Sequence, residues 1–256
     1  MKITFLGSGT SQGVPVIGCD CAVCGSADPR DKRRRASIAI ESRGTTVIID
    51  TTPEFRLQVI DAGIRHLDAV LFTHAHADHL HGLDDIRGFN HVQHHPIACF
   101  GDAYTLEVVR ESFRYIFEGT NYGGGLPEIT LEEVRGPFAV GALSFEPLEV
   151  FHGPARILGY RFGRAAYITD ASRIPENTMA RLGGLDVLVL NALRYDPHPT
   201  HFSIGESVGV AKRLSPGATY FTHICHHILH EKASGELPAG VHLAYDGLAV
   251  EAADEA

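Results

Sequence analysis

Short apolar runs separated by turn residues make up most of the chain. The runs are rich in valine, isoleucine, phenylalanine and tyrosine and are bounded by glycine, proline or aspartate, which is typical of β-strands. This pattern predicts the strands Lys2–Leu6, Ser37–Glu41, Thr45–Asp50, Asp68–Thr73, Leu143–Val150, Ile157–Phe162, Ala165–Asp170, Asp186–Leu190 and Ala218–Thr222.

Other stretches carry the signals of helices. Ser203, with Glu206 three residues later, matches the capping box, in which two side chains satisfy free backbone N–H groups of the first turn. Such a cap contributes about 1 kcal/mol. The predicted helices are Ala103–Phe117 capped by Asp102, the stretch from Ser203 to about Leu214, and a short helix that opens at Pro175 and ends at Gly183 and Gly184.

The order of these elements indicates the fold class. Predicted strands follow one another in pairs as well as alternating with helices, which argues against a simple doubly wound sheet. We predict an α/β (α+β) fold in which two mixed sheets pack together and helices flank them. No internal repeat, low-complexity tract or linker is evident, so residues 1–256 are predicted to form a single domain. Gly119–Pro137 is predicted to be a loop insertion.

The composition is that of an ordinary globular protein. The chain has 256 residues, of which 44% are hydrophobic and 21% charged, and a chain of this length buries about 70–75% of its unfolded surface. No apolar run approaches the roughly 20 residues that span a bilayer, and the N-terminus does not resemble a signal peptide. We therefore expect a cytoplasmic protein with no membrane partner.

The net charge argues against a nucleic-acid partner. The formal charge is -9 at pH 7, whereas nucleic-acid binding needs concentrated positive charge. The one basic run, Lys32–Arg35, is either a solvated or locally paired face or a patch that attracts phosphate. Histidine is the outlier of the composition, with 16 residues against two methionines.

Three of the five cysteines, Cys19, Cys21 and Cys24, lie within six positions. In a reducing cytoplasm such clusters hold a metal more often than they form a disulfide. Tetrahedral zinc takes four ligands, so a fourth must come from elsewhere in the chain. Cys225 is one candidate. A redox pair formed by Cys21 and Cys24 is a competing interpretation, although the strand–motif–helix setting of such pairs is absent.

A histidine-rich run directly follows the apolar part of the predicted strand Asp68–Thr73. His74 and His76 are two positions apart, so in extended chain they project to the same side. Asp78 and His79 follow after a turn. Four ligand-type side chains within six positions at a strand end predict a metal site, and imidazole and carboxylate ligands suit Zn, Mn or Fe.

This run resembles the H-x-H-x-D-H signature of the metallo-β-lactamase superfamily, and the resemblance extends along the chain. It implies an αβ/βα sandwich with a dinuclear metal site at one sheet edge, and Asp50 as a structural aspartate. His76 occupies the position where the di-iron flavoprotein branch has glutamate, so hydrolysis is favoured over redox chemistry. The implied ligands are His74, His76 and His152 for one ion and Asp78, His79 and His223 for the second, with Asp170 bridging both.

The N-terminal residues resemble one branch of that superfamily. Phe5–Pro15 read as a strand and a glycine-rich loop, similar to the start of the phosphodiesterase branch, and the cysteine cluster follows directly. Together they resemble the PhnP-like phosphoribosyl cyclic phosphate phosphodiesterases. That resemblance implies a structural zinc bound by the three cysteines and by His226, three residues after His223. It also implies catalytic roles for Asp78 and His201, with His201 contacting the phosphate as general acid.

The resemblance thus implies a metal-dependent phosphodiesterase with two divalent ions, Mn or Zn, in its active site and one structural Zn. We expect metal-activated hydroxide to attack a small cyclic phosphate, such as phosphoribosyl 1,2-cyclic phosphate or a cyclic nucleotide. A tRNA 3′-processing endonuclease and a lactonase or thioesterase are alternatives, and the nuclease is disfavoured because no long basic arm is present. Two questions stay open: whether the chain forms a homodimer, and whether His91, His94 and His95 rim the pocket.

Overall fold

A computed structural model describes residues 1–118 and 125–254 of the chain. Two seven-stranded sheets pack face to face, and helices cover the outer face of each. The prediction of two mixed sheets flanked by helices is confirmed, and the arrangement is the αβ/βα sandwich that the resemblance implied.

The first sheet combines antiparallel and parallel strands. Its members are β1 (Lys2–Gly7), β2 (Ser37–Ser42), β3 (Thr45–Ile49), β4 (Ala69–Leu71), β5 (Ile97–Gly101), β6 (Ile129–Glu133) and β14 (Ala249–Glu251). They lie in the order β14-β1-β2-β3-β4-β5-β6. The strands from β3 to β6 run parallel, whereas the pairs β14–β1, β1–β2 and β2–β3 are antiparallel.

The second sheet is built in the same way. Its members are β7 (Phe138–Val140), β8 (Leu143–His152), β9 (Ala155–Phe162), β10 (Ala165–Ile168), β11 (Val187–Asn191), β12 (Ala218–Thr222) and β13 (Val241–Leu243). They lie in the order β13-β12-β11-β10-β9-β8-β7. The strands from β10 to β13 run parallel, and β7, β8 and β9 form antiparallel pairs up to β10. Each sheet therefore has a parallel half whose strand ends share one edge.

The helices lie outside the sheets. They are α1 (Phe55–Asp61), α2 (Ala77–Leu80), α3 (Arg87–Gln93), α4 (Ala103–Ser112), α5 (Arg114–Phe117), α6 (Glu176–Ala180), α7 (Ile204–Leu214) and α8 (His230–Glu236), with 3₁₀ turns at Pro29–Asp31 and Leu83–Ile86. Apolar residues of α1, α3 and α4 pack on the first sheet, and those of α6, α7 and α8 on the second. Within residues 1–118 and 125–254, no helix combines the length and apolarity needed to cross a membrane.

The core between the sheets is formed by side chains from both inner faces. Phe5 and Ile38 of the first sheet belong to one buried cluster with Tyr160, Tyr167 and Val189 of the second. Burial of a large side chain contributes about 1.5–3 kcal/mol. This shared layer fixes the two sheets relative to each other, and so fixes the edge at which their parallel strands end.

Two helix predictions can be compared in detail. The capping box is present, because the Ser203 side chain accepts from the Glu206 N–H and the Glu206 carboxylate accepts from the Ser203 N–H. The predicted helix Ala103–Phe117 is instead interrupted at Phe113, where φ is -117° and ψ is 38°. Leaving the helix there turns the Phe113 side chain into the apolar cluster over the first sheet, where it is 7% exposed.

The predicted loop insertion Gly119–Pro137 is wrong in part. Strand β6 lies within it and pairs in parallel with β5 at the edge of the first sheet. Its alternate residues Ile129 and Leu131 pack under the outer helices, while Glu132 and Glu133 are exposed. An edge strand needs only one packed face, so its pattern is weak in the sequence. Residues 119–124 of the predicted insertion lie outside the described part of the chain.

Candidate metal centre

The expected metal ligands lie at the edge where the parallel strands of both sheets end. Asp50 directly follows β3, and His74 comes shortly after β4. Asp170 and His223 occupy the corresponding positions after β10 and β12. Asp50, Asp170 and His223 have positive φ angles of 67°, 56° and 55°. Such conformations cost about 1–3 kcal/mol and cluster at functional sites, where they aim a side chain that regular backbone would point elsewhere.

One group of possible ligand atoms comes from His74, His76, His152 and Asp170, and these atoms all lie within 4.8 Å of one another. His74 Nε2 is 3.0 Å from His76 Nδ1 and 4.0 Å from Asp170 Oδ2. The His152 ring lies 5.1 Å from the ring of His76. The four side chains therefore surround a single point at the strand edge.

A second group comes from Asp78, His79, Asp170 and His223, also with all ligand atoms within 4.8 Å. His79 Nε2 is 3.2 Å from Asp78 Oδ2 and 3.5 Å from Asp170 Oδ1. His223 Nε2 is 3.2 Å from Asp170 Oδ2. Asp170 belongs to both groups, which is the position that the resemblance implied for a bridging carboxylate.

Several buried imidazole nitrogens at this edge have no hydrogen-bond partner among the described residues. They are His79 Nε2 and both ring nitrogens of His223. Buried polar atoms are rarely left without a partner, and leaving one unsatisfied costs about 1–3 kcal/mol. Nitrogen and carboxylate oxygen are ligands for zinc and other divalent first-row metals. The two groups are therefore compatible with divalent metal ions.

Hydrogen bonds from neighbouring groups fix the orientation of the His79 and His152 rings. His79 Nδ1 is 2.7 Å from Asp50 Oδ2, and Asp50 itself accepts from the backbone N–H and the hydroxyl of Thr73, both at 2.8 Å. His152 Nδ1 donates to the Thr200 carbonyl at 2.7 Å. In each histidine the other nitrogen, Nε2, is left to face the cluster. Metal-ligating histidines are commonly held in this way, with their second nitrogen on a carboxylate or a carbonyl.

The charges of the cluster suit cation binding. Burial, together with His79, lowers the pKa of His74 well below its usual value. Burial alone would raise the pKa of Asp170, but His223 and His79 outweigh it and hold that pKa well below the usual value. For Asp78 the effect of burial is likewise outweighed by His79 and His223, and its pKa is lowered. The carboxylates are therefore ionised and His74 is neutral, as metal ligands must be. For His79 the effect of burial is outweighed by Asp78 and Asp50, which raise its pKa well above the usual value, so binding of an ion there would displace a proton.

His201 lies beside both groups. Its ring stacks on that of His223 at 4.8 Å, and its Nδ1, which is 3.9 Å from Asp170 Oδ2, has no hydrogen-bond partner among the described residues. Burial, with His223, lowers its pKa to about 3. A bound anion would oppose this shift, because opposite charge favours the protonated imidazole. His198 is 5.1 Å from the His201 ring and is held by Thr200.

The cysteine cluster forms a third group of possible ligands. The Sγ atoms of Cys19, Cys21 and Cys24 lie 3.3, 3.6 and 3.6 Å from His226 Nδ1. The Cys24 N–H, donating to the Cys21 sulfur at 3.5 Å, lowers the pKa of Cys21 to about 6 and so favours its thiolate, the form that binds metal. Burial raises the pKa of Cys24 to about 11, so this thiol would lose its proton on binding a metal. Cys225 is buried, lies outside this group, and has a pKa raised by burial. The donor set, three thiols and one imidazole, fits tetrahedral zinc.

A buried ion pair ties the cysteine loop to the segment that carries His226. Arg33, whose side chain is fully buried, is 3.0 Å from Asp31 and donates to the Ile228 carbonyl at 2.9 Å. Asp31 also accepts from the His230 N–H at 2.8 Å. Arg34 and Arg35 pair with acidic residues as well. For the basic run Lys32–Arg35, the geometry thus favours the paired face over the phosphate patch.

Arg33→Met is expected to lower the free energy of unfolding by about 3–5 kcal/mol, because it leaves the buried Asp31 carboxylate without its counter-charge. Urea unfolding of the metal-loaded protein measures this loss. Arg135→Met is the control, since Arg135 is 80% exposed in its pair with Glu133 and its loss should change stability by less than about 1 kcal/mol. Equal effects of the two substitutions would contradict the structural role given to Arg33.

The histidines His91, His94 and His95 do not rim the metal cluster. They lie in and after α3, just before β5 begins, whereas the cluster lies where the parallel strands end. Gln93 confirms the placement, because its side chain bonds both backbone groups of Leu67, just before β4. From sequence alone, their closeness to the histidine motif along the chain leaves this question open. The role of Thr200, whose backbone carbonyl orients His152, could not be predicted, because every residue type has a backbone carbonyl.

Comparison with known proteins agrees with this geometry. A beta-lactamase superfamily domain model matches residues 45–224. The crystal structure of a diphosphatase from the PhnP family is 45% identical, with a TM-score of 0.92 over 98% of this chain and 97% of that chain. Zn²⁺-bound PqqB from Methylobacterium extorquens shares the fold, with a TM-score of 0.82 and 22% identity over 98% of this chain and 100% of its own.

An octanoyltransferase of Porphyromonas gingivalis is 40% identical over 97% of this chain, but the match covers 51% of that protein. The chain therefore spans about half the length of this curated relative. The family model covers most of the chain, including the histidine motif and the later ligand positions as far as His223. On this basis the chain belongs to the β-lactamase superfamily domain family, with the metallo-β-lactamase fold.

Proposed function

We propose that this chain is a metal-dependent hydrolase that cleaves a phosphoric diester, and that its substrate is a small cyclic phosphate of ribose or of a nucleotide. The observation that carries the proposal is the pair of ligand groups joined at Asp170, with His201 stacked beside them. A site of this form suits the displacement of one oxygen by another at phosphorus, because both oxygens and the phosphoryl group carry developing negative charge.

The residues of the site would have different roles, according to where they lie. One ion would be held by His74, His76, His152 and Asp170. The second would be held by Asp78, His79 and His223 together with Asp170. When bound, two divalent ions would lower the pKa of water towards 7 and neutralise charge on the phosphoryl oxygens. Asp78 would act as a catalytic residue as well as a ligand, because its ionised carboxylate would lie beside the second ion. His201 would contact the phosphate and donate a proton to the leaving oxygen.

Diphosphate hydrolysis is a second candidate, favoured by the 45% identity to a diphosphatase of the PhnP family. The two reactions share the attack on phosphorus and differ in the leaving group. We do not extend the acyl transfer named for the Porphyromonas gingivalis protein to this chain, because half of that protein lies outside the match. Human tRNase Z, short form, is 16% identical with a TM-score of 0.73, a likeness of fold alone.

A substrate panel tests the proposal. Metal-loaded protein would be assayed with ribose 1,2-cyclic phosphate, 2′,3′-cyclic nucleotides, a linear aryl phosphodiester, a nucleoside diphosphate, a lactone and a thioester. Preference for a cyclic phosphate is the expected result. Preference for the diphosphate would select the second candidate, and turnover of the lactone or thioester alone would overturn both.

His201→Ala is expected to reduce kcat on the preferred phosphorus substrate by about 10²–10⁴-fold, the usual contribution of a positioned acid or base. Its metal content should not change, because His201 belongs to neither ligand group. His66→Ala is the matched control, since His66 is an exposed histidine paired with Asp68 away from the cluster. A His201→Ala enzyme with undiminished kcat would remove His201 from the mechanism.

A further inference from the structure

The loop between β11 and α7, residues 192–203, carries a second histidine beside His201. His201 has ring contacts with the expected ligands His152 and His223, at 4.6 and 4.8 Å. The His198 ring is 5.1 Å from that of His201 and, among the described residues, makes no ring contact with an expected metal ligand. His198 therefore lies on the outer side of His201, away from the two ligand groups. The proposed reaction gives this histidine no role.

Hydrogen bonds fix which nitrogen of His198 carries the proton. The Thr200 backbone N–H donates to His198 Nδ1 at 3.3 Å, and the Thr200 hydroxyl is 3.2 Å from the same atom. A backbone N–H can only donate, so Nδ1 is the acceptor and the proton of the neutral ring is on Nε2. Burial, followed by the charge of Arg194, lowers the pKa of His198, so the ring is neutral at pH 7. His198 therefore offers an N–H donor at Nε2, for which the described part of the chain supplies no acceptor.

Arg194 anchors the same loop. Its guanidinium donates to the backbone carbonyl of Asp196 at 3.2 Å and to that of Pro197 at 2.9 Å. The Pro197 carbonyl belongs to the peptide bond directly before His198. Within residues 1–118 and 125–254, no carboxylate forms an ion pair with Arg194, and the Asp196 side chain is exposed. A guanidinium without a counter-charge and a fixed N–H donor are groups that recognise phosphate oxygens, and this loop places them close together on the rim of the site.

We propose that His198 is a specificity-determining residue, and that its Nε2–H, with Arg194, binds a second phosphate group of the substrate. This inference rests on the proposed function, in which the expected ions and His201 take up the phosphoryl group that is attacked. Because His201 would protonate the leaving oxygen, a group on its outer side belongs to the leaving part of the substrate. The second phosphate is then either a 5-phosphate on the ribose of a cyclic phosphate or the leaving phosphate of a diphosphate, since both present the same oxygens to the donor.

Two pairs of substrates that differ by one phosphate group test the proposal. One pair is ribose 1,2-cyclic phosphate with and without a 5-phosphate, and the other is a nucleoside diphosphate and an aryl diester of the same nucleotide. In one pair, His198→Leu should raise KM about 10–100-fold more for the member with the extra phosphate, the effect of losing a hydrogen bond to a charged group. The pair that responds identifies the source of the phosphate. His198→Gln keeps an N–H donor and should restore the preference, and KM should change more than kcat because His198 contacts no reacting atom.

Calorimetry with probes that are not cleaved separates this inference from the proposed reaction. Ribose 1,5-bisphosphate is compared with ribose 1-phosphate, and α,β-methylene ADP with AMP, by titration into the metal-loaded full chain. His198→Leu should lose most of the preference for the second phosphate and keep its metal content. His91→Leu is the matched control, because His91 is exposed on α3, away from the metal cluster. Equal weakening for both members of each pair, or loss of metal, would overturn the role of His198. A preference that depends on His198 in a protein that cleaves no phosphodiester would contradict the proposed function alone.

Discussion

Replacing Cys24 by serine is expected to release the zinc that we propose for the cysteine group, and to lower the free energy of unfolding by roughly 5 kcal/mol or more. Structural zinc contributes about 10–16 kcal/mol of apparent folding free energy in small zinc domains, and a whole domain is stable by about 5–15 kcal/mol. Cys24 is buried and its sulfur lies 3.6 Å from His226 Nδ1, so serine removes one of four donors around a single point.

Loss of the zinc should also affect the edge of the sheets that carries His223 and the other expected metal ligands. His226 is three residues from His223, and between them Ile224 bonds the glycine-rich loop through Ser8 at 2.9 Å and Thr10 at 3.1 Å. Loss of the zinc would free the segment that aims His223, so activity should fall along with stability. Zinc content by elemental analysis and urea unfolding would be measured on the same samples.

Cys225→Ala is the matched control for this experiment. Cys225 precedes His226 in the chain but lies outside the group of four ligand atoms. It should keep the zinc and lose only the small free energy of a truncated buried side chain. Zinc loss in Cys225→Ala and retention in Cys24→Ser would identify a different set of ligands.

Asp170→Asn is expected to abolish binding of both proposed active-site ions and to reduce turnover by about 10⁴-fold or more, because the proposed activation of water depends on them. Asparagine keeps the shape of aspartate but not its charge, and Asp170 is shared by both ligand groups. Its conformation, with φ at 56°, is one that asparagine tolerates well, so the backbone should be retained.

Metal stoichiometry distinguishes this account from a purely structural role of Asp170. Asp170→Asn should retain the structural zinc alone, whereas His76→Ala, which removes a ligand from one group only, should keep more metal than Asp170→Asn. A circular dichroism spectrum of Asp170→Asn that matches the wild type, with zinc bound at the cysteines, would show that the fold is intact. If Asp170→Asn kept a full complement of ions, the shared position of this carboxylate would have no functional meaning.

The sequence carried enough information for the architecture and for the ligand candidates. Strands such as Thr45–Ile49 and Val187–Asn191 contain the apolar runs Val47–Ile49 and Val187–Leu190, because parallel strands covered on both faces are buried throughout. His74, His76, Asp78 and His79 form one compact motif. The later candidates His152, Asp170 and His223 were implied by the family resemblance alone, and the structure brings them to the same edge at or just after the ends of β8, β10 and β12.

Other features depend on tertiary packing and left little trace in the sequence. Helix α1 was missed because its apolar residues occupy both faces and no side chain caps it. The interruption at Phe113 follows from the space available over the first sheet, which helical periodicity does not encode. The positive φ angles of Asp50, Asp170 and His223 are imposed by the surrounding structure, since these residue types do not require them.

The measurement that tests the central claim most directly is the dependence of phosphodiester hydrolysis on metal content. Protein with its structural zinc in place would be stripped of other ions and titrated with Mn²⁺ or Zn²⁺ while turnover of the preferred phosphorus substrate is followed. The account predicts no turnover at the start and a rise that levels off near two equivalents. Turnover independent of added metal, or its absence in fully loaded wild-type protein, would contradict the account.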